Sequence, residues 1–167
     1  MPLPSTMTPI ATNTLSSASA TVTFSNIPQN YTDLFLATSV KWTGSGDSSF
    51  GIRFNSDSGS NYSITRFYGN SSGAGTDRSS NATSSRGGQL DATNFSANFA
   101  HIMNYSNSTT YKTLIWRSNI STSTVFTAVS LWRSTSAITS IDLGYFDAAG
   151  NWASGTTFTL YGIKAAS

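Results

Sequence analysis

Short runs in which apolar and polar residues alternate dominate the chain from Thr21 onward. Alternation with a period of two is typical of β-strands, because successive side chains point to opposite faces of a sheet. The clearest run predicts a core-facing row made up of Leu34, Leu36, Thr38, Val40 and Trp42. Turn-forming Gly, Asn, Asp and Ser residues interrupt such runs at short intervals, which is the pattern of an all-β sandwich.

These runs predict a jelly-roll-like antiparallel β-sandwich of about nine strands in two sheets. The predicted strands are 21–24, 34–42, 50–54, 64–68, 95–105, 111–119, 124–133, 138–146 and 157–163. Within strand 111–119, Leu114 and Trp116 share one face, and Ile115 and Arg117 share the other. Residues 69–88 contain almost no large apolar side chain, so we predict a long exposed loop there.

The first 19 residues contain three of the four prolines and show no periodic pattern. They predict an extended N-terminal arm over residues 1–19, followed by one sandwich domain over residues 20–167. Such an arm is either a disordered terminus or a strap that orders on a neighbouring subunit. The candidate contact residues of a strap are Pro2, Leu3, Pro4, Pro9 and Ile10.

The composition supports the all-β prediction and reduces the classes of partner that we expect. Only 10% of the residues are charged, Glu is absent, and Ser and Thr make up 55 of 167 residues, which disfavours helices. The net charge of +2 comes from isolated residues, so we expect no nucleic-acid partner. The N-terminus lacks a signal-peptide pattern and no stretch is apolar enough to span a bilayer, so we expect neither classical export nor a membrane partner. Because Cys is absent, no disulfide or thiolate site is expected.

The sequence predicts no catalytic, cofactor-binding or metal-binding residues. The seven Asp residues are scattered, and Asp47, Asp57, Asp77 and Asp147 lie beside Gly or Ser in turn-like contexts. The only histidine, His101, alternates with Phe99 and Met103 on a predicted strand and lacks a nucleophile motif nearby. The stretch around Asp57 resembles the start of a calcium loop, but Arg66 stands where that loop needs Glu, so we predict a hairpin turn. A calcium site formed by several loops together stays an open alternative.

Aromatic residues beside Asn, Asp and Arg are candidates for a platform that stacks on sugar rings. The candidates are Trp42, Tyr68, Tyr105, Trp116, Trp132 and Trp152. Each Trp is equally suited to the core or to a subunit interface, because aromatic residues dominate both.

Three stretches resemble a group of small tailed-phage virion proteins, including those of cyanophages, that serve as capsid cement proteins or as tail and fibre modules. They are Ile27-Pro28-Gln29-Asn30-Tyr31-Thr32-Asp33-Leu34, Ile52-Arg53-Phe54-Asn55-Ser56-Asp57-Ser58-Gly59-Ser60-Asn61-Tyr62-Ser63 and Leu160-Tyr161-Gly162-Ile163-Lys164. The resemblance implies a non-enzymatic β-sandwich that forms homotrimers, docks on the major capsid protein and is made in the host cytoplasm.

Three functions follow as hypotheses. The first is a capsid cement, or decoration, protein on the outer capsid surface of the virion. The second is a tail-tip or tail-fibre module that binds host-surface glycans. The third is a polysaccharide-cleaving virion enzyme, which is the weakest because it needs a carboxylate pair that the spacing does not offer.

Overall fold

The protein is seen in a computed structural model that describes residues 6–46, 48–120, 123–146 and 150–164. The described residues form twelve strands and no helix. The strands are β1 Met7–Thr14, β2 Thr21–Phe24, β3 Asp33–Val40, β4 Ser48–Phe54, β5 Tyr62–Asn70, β6 Gly73–Ala82, β7 Ser85–Leu90, β8 Ser96–Ile102, β9 Lys112–Ile120, β10 Thr124–Trp132, β11 Ile141–Gly144 and β12 Thr157–Ile163.

The strands form a sandwich of two antiparallel sheets, as the alternation predicts. One sheet has eight strands in the order β1-β12-β3-β8-β9-β10-β5-β6, and the other has four in the order β2-β11-β4-β7. Every connection except β5 to β6, β8 to β9 and β9 to β10 crosses from one sheet to the other, as in a jelly roll. Extra strands widen the larger sheet: the β8–β9 hairpin lies in its middle, and β12 and β1 extend one edge.

The predicted loop over residues 69–88 is wrong. Its residues complete β5 and form β6 and most of β7, which belong to different sheets. Strand β6 is polar and exposed because it is an edge strand held by its backbone pairing with β5. Strand β7 is buried although Gly87 and Gly88 give it little apolar side-chain surface, because rings from other strands cover it.

The N-terminal residues that the structure describes are not a free arm. Met7–Thr14 pair with β12 from Met7 opposite Ile163 to Thr14 opposite Thr157, so they belong to the same sandwich as the rest. A bulge interrupts the pairing between Pro9 and Ala11. Proline is tolerated here because an edge strand leaves one row of backbone groups unpaired. For Met7–Thr14 the prediction of a separate arm is wrong, because this strand gains order from the backbone of β12 although its composition is that of an irregular segment.

A row of contacting aromatic rings joins the two sheets through the core. Phe50 of the smaller sheet contacts Trp116 of the larger sheet edge-on, with ring centroids 5.6 Å apart and ring planes at 89°. Phe50 also contacts Trp152 at 5.0 Å, and Trp152 contacts Phe158 of β12 at 5.0 Å. Such pairs contribute about 0.5–1.5 kcal/mol each beyond the burial of their area. These ring contacts therefore connect the centre of the larger sheet, through the smaller sheet, to the side of the larger sheet that contains β12.

A second cluster fixes the turn between β4 and β5. The predicted hairpin is wrong here, because these two strands lie in different sheets and the turn connects one sheet to the other. Asp57 accepts hydrogen bonds from Trp132 Nε1 at 2.7 Å, from the Gly59 backbone N–H at 2.8 Å and from Asn61 Nδ2 at 2.9 Å. Partial burial raises the pKa of Asp57, but these hydrogen bonds outweigh it and hold the pKa below its usual value. The expected turn role of Asp57 is therefore confirmed, since its carboxylate binds groups of its own turn and of the neighbouring β10.

We expect Gly87→Ala to lower the free energy of unfolding by about 1–3 kcal/mol, because overpacking a filled core is destabilising. The added Cβ would lie 2.2 Å from Cδ1 of Trp116, so the ring must move. Chemical denaturation followed by Trp fluorescence measures the change. Gly69→Ala is the matched control, because its Cβ would meet no atom within 4 Å. An equal loss in both variants would contradict the steric explanation.

The lowered pKa of Asp57 predicts a stability loss in acid. The stabilising contribution is present above the unfolded-state pKa of about 3.9 and is lost as the pH falls through the lower folded-state pKa. Thermal melts of the wild type between about pH 5 and pH 2 should therefore show a steeper fall in Tm than melts of Asp57→Asn, which keeps an acceptor for Trp132 but does not titrate. Parallel Tm profiles for the two proteins would refute the assignment.

Candidate interaction surface

The four tryptophans proposed for a glycan platform lie in the core. Trp42, Trp116, Trp132 and Trp152 are each 8% exposed or less. Trp42 is additionally covered by Tyr145, whose ring stacks on it at 5.0 Å. The platform prediction is therefore wrong for these residues, because a buried ring has no free face for a sugar. Residue type alone does not distinguish a core Trp from a surface Trp, and only the packing does.

The other predicted site residues differ in their exposure. Tyr105 is buried and its hydroxyl donates to the backbone oxygen of Pro28, whereas Tyr68 is half-buried and keeps accessible surface. In β1, Pro9 is exposed and Ile10 packs against the core. The remaining contact candidates, Pro2, Leu3 and Pro4, lie outside the described residues, as do Asp47 and Asp147.

The largest exposed surface of the fold is the side of the eight-stranded sheet that faces away from the smaller sheet, here called the broad face. Its apolar side chains alternate with the buried ones along β3, β5, β8, β9 and β10. They are Phe35, Phe67, Phe99, Ile115, Val125 and Val129. Four of them are strongly exposed: Val125 at 65%, Phe67 at 48%, Val129 at 47% and Phe99 at 41%.

Cross-strand pairing gathers these side chains into one patch. Val129 lies opposite Ile115 of β9, and the Phe99 ring lies 5.7 Å from that of Phe35. Phe67 lies opposite Thr127, between Val125 and Val129 of the neighbouring strand. Contiguous apolar surface on a rigid sheet is typical of a protein contact surface. Sequence reasoning missed the patch, although Val125, Val129 and Leu131 put apolar residues on the face of β10 opposite Ala128 and Trp132.

Positive charge lies inside the patch and at its edge, because Arg117 is opposite Phe99 of β8 and Arg78 belongs to the edge strand β6. Arg117 on β9 and Arg78 on β6 are exposed on the broad face, and within the described ranges neither has an ion-pair partner. Arginine beside apolar surface binds carboxylates of a partner through bidentate hydrogen bonds. The face is therefore complementary to a protein surface that combines apolar side chains with Asp or Glu.

His101 also lies on the broad face, beside Phe99, as the alternation predicts. Its Nε2 is 2.8 Å from Oδ2 of Asp33, and Oδ1 of Asp33 accepts the backbone N–H of Asn104 at 2.8 Å. This pair fixes the imidazole within the sheet and links β3, β8 and the turn that follows β8. Among residues 6–46, 48–120, 123–146 and 150–164, no group of three or more metal-ligating side chains occurs.

Comparison of the chain with protein-family models, with curated proteins and with solved structures finds no match in any of the three. In the part of the chain that the structure describes, no helix is long and apolar enough to cross a membrane.

Proposed function

We propose that this protein is a non-enzymatic structural protein of a tailed-phage virion, a capsid decoration protein that binds the outer surface of the major capsid protein lattice and stabilises the head. The observation that carries the proposal is the exposed apolar patch on the broad face, with Arg117 inside it and Arg78 at its edge. A jelly roll and the resemblance to cement proteins agree with it.

The size of the broad face suits a stable contact. Eight strands about 4.8 Å apart and roughly 25 Å long give a face of about 850 Å². A standard protein interface buries about 800 Å² on each partner. One sheet face is therefore large enough to dock a copy on the lattice without any help from loops.

The charges of the broad face favour a different protein, and not a second copy of this chain, as the partner that this face binds. This chain has only seven acidic residues, all Asp, and its broad face exposes Arg78 and Arg117, neither of which has a carboxylate partner among the residues that the structure describes. Two such faces would place like charges in contact, whereas a carboxylate-bearing capsid surface would pair them. In this proposal the copies associate into homotrimers through other surfaces, including the N-terminal residues, and the trimer gains avidity from several weak contacts.

Binding to the assembled lattice stabilises the head by mass action. A protein that binds the assembled shell and not the free subunits shifts the equilibrium toward the shell. This requires no chemical step and no cofactor. A tail-tip or tail-fibre module that binds host glycans is the second candidate function, and the half-buried Tyr68 favours it.

Copy number separates the two functions. In purified particles we expect about one copy of this protein for each copy of the major capsid protein, because each lattice position offers the same docking surface. Quantitative mass spectrometry of the particles measures the ratio. A ratio below about one in twenty would exclude decoration of the lattice and would favour a tail module.

We expect Val129→Asp to abolish binding to heads that lack the protein, with a loss of at least about thirtyfold in affinity, because the carboxylate would be buried without a partner in the contact. Co-sedimentation with such heads measures binding, and circular dichroism checks the fold. Val125→Asp tests the same patch at the more exposed position.

Thr21→Asp is the matched control, because Thr21 is exposed on β2 of the smaller sheet. It should bind as the wild type does. Unchanged binding by both patch variants, or an equal loss in the control, would remove the broad face from the contact.

A further inference from the structure

A cleft opens between the two sheets where β5 and β10 extend past β4 and β7. Its volume is about 310 Å³, which is at the lower end of small-molecule sites. Arg66, Tyr68 and Phe126 of the larger sheet line one wall, Asp77 of β6 borders it, and Gln89 of β7 belongs to the other wall. The cleft lies on the side of the larger sheet opposite the broad face.

Two aromatic rings form the apolar wall of the cleft. The rings of Tyr68 and Phe126 lie side by side on neighbouring strands, with centroids 5.9 Å apart and planes at 40°. The Tyr68 ring also extends over Gly75 of β6, because a Cβ on that glycine would lie 2.5 Å from the ring atom Cζ and from the hydroxyl oxygen. The missing Cβ therefore lets the ring lie down along the sheet as a flat surface.

Planar hydrogen-bonding groups surround these rings. Arg66 donates to both oxygens of Asp77, from Nε at 2.8 Å and from Nη2 at 2.6 Å, and both side chains remain partly exposed. Gln89 is 3% exposed, and within the described part of the chain its Nε2 has no hydrogen-bond partner. A buried amide donor without a partner is unfavourable, so a ligand acceptor that reached it would gain affinity.

We propose that this cleft binds one unit of a neutral saccharide. The C–H face of a pyranose ring stacks on an aromatic wall, and its hydroxyls each need a donor and an acceptor. Tyr68 and Phe126 supply the wall, whereas Arg66, Asp77 and Gln89 supply the donors and acceptors. Because the charge of Arg66 is already neutralised by Asp77, the cleft has no free cation for an acidic sugar or a phosphate.

The proposal does not depend on capsid decoration; it names the binding site and ligand class of the second candidate function, glycan binding, and its test uses the purified full-length chain. The probes are maltohexaose, cellohexaose and the hexamer of N-acetylglucosamine, titrated by isothermal calorimetry and by saturation-transfer NMR. We expect at least one of them to bind, Tyr68→Ala to weaken that binding about tenfold or more, and Tyr68→Phe to keep it, because phenylalanine preserves the stacking surface.

Gln89→Met tests the polar wall with a side chain of similar shape, and we expect it to weaken binding as well. Tyr111→Ala is the control, because Tyr111 is an exposed aromatic residue at the far end of β9. Thermal melts verify that every variant is folded. The proposal is overturned if none of the three probes binds at about 10 mM, or if Tyr68→Ala, Gln89→Met and Tyr111→Ala all bind equally well.

Discussion

The contact of Trp116 and Phe50 with the glycine backbone of β7 sets the spacing of the whole sandwich. A Cβ on Gly87 would lie 2.2 Å from the Trp116 ring, and a Cβ on Gly88 would lie 2.1 Å from the Phe50 ring. The two rings therefore occupy the volume that side chains of β7 would fill. Trp116 Nε1 also donates to Ser85 Oγ at 3.0 Å, so the indole is held to the strand it covers. The close fit of the Trp116 ring over Gly87 and its hydrogen bond to Ser85 therefore hold the ring at the same site on β7.

This core contact determines what the broad face displays. Because side chains alternate along a strand, holding Trp116 inward turns Ile115 and Arg117 outward, and a slip of one residue would exchange the two sets. The same reasoning applies to β10, where buried Ala128 requires exposed Val129. The apolar patch is therefore inseparable from the register that the core imposes, although nothing in the core needs the patch to be apolar.

The alternation of apolar and polar residues was sufficient to predict the all-β fold and the buried faces of individual strands, but it did not predict every strand. The predicted core row from Leu34 to Trp42 is buried as expected, and so are Leu114 and Trp116. Strand β6 was missed because its order comes from backbone pairing, and β1 because a proline-containing edge strand carries no periodic signal. Burial of the four tryptophans was undecided for a different reason, since a large ring suits a core and a surface equally well. The cleft depends on Gly75, whose role is visible only once β6 is paired with β5.

Strand β5 connects the two surfaces, because Phe67 and Tyr68 are neighbours in sequence and point to opposite sides of the larger sheet. A copy docked through the broad face would hold Phe67 against its partner and keep Tyr68 on the side away from it. Docking and saccharide binding would then use different side chains of the same rigid strand, with no competition for surface. The continuous pairing of β10, β5 and β6 would hold both surfaces in place without a loop changing its conformation.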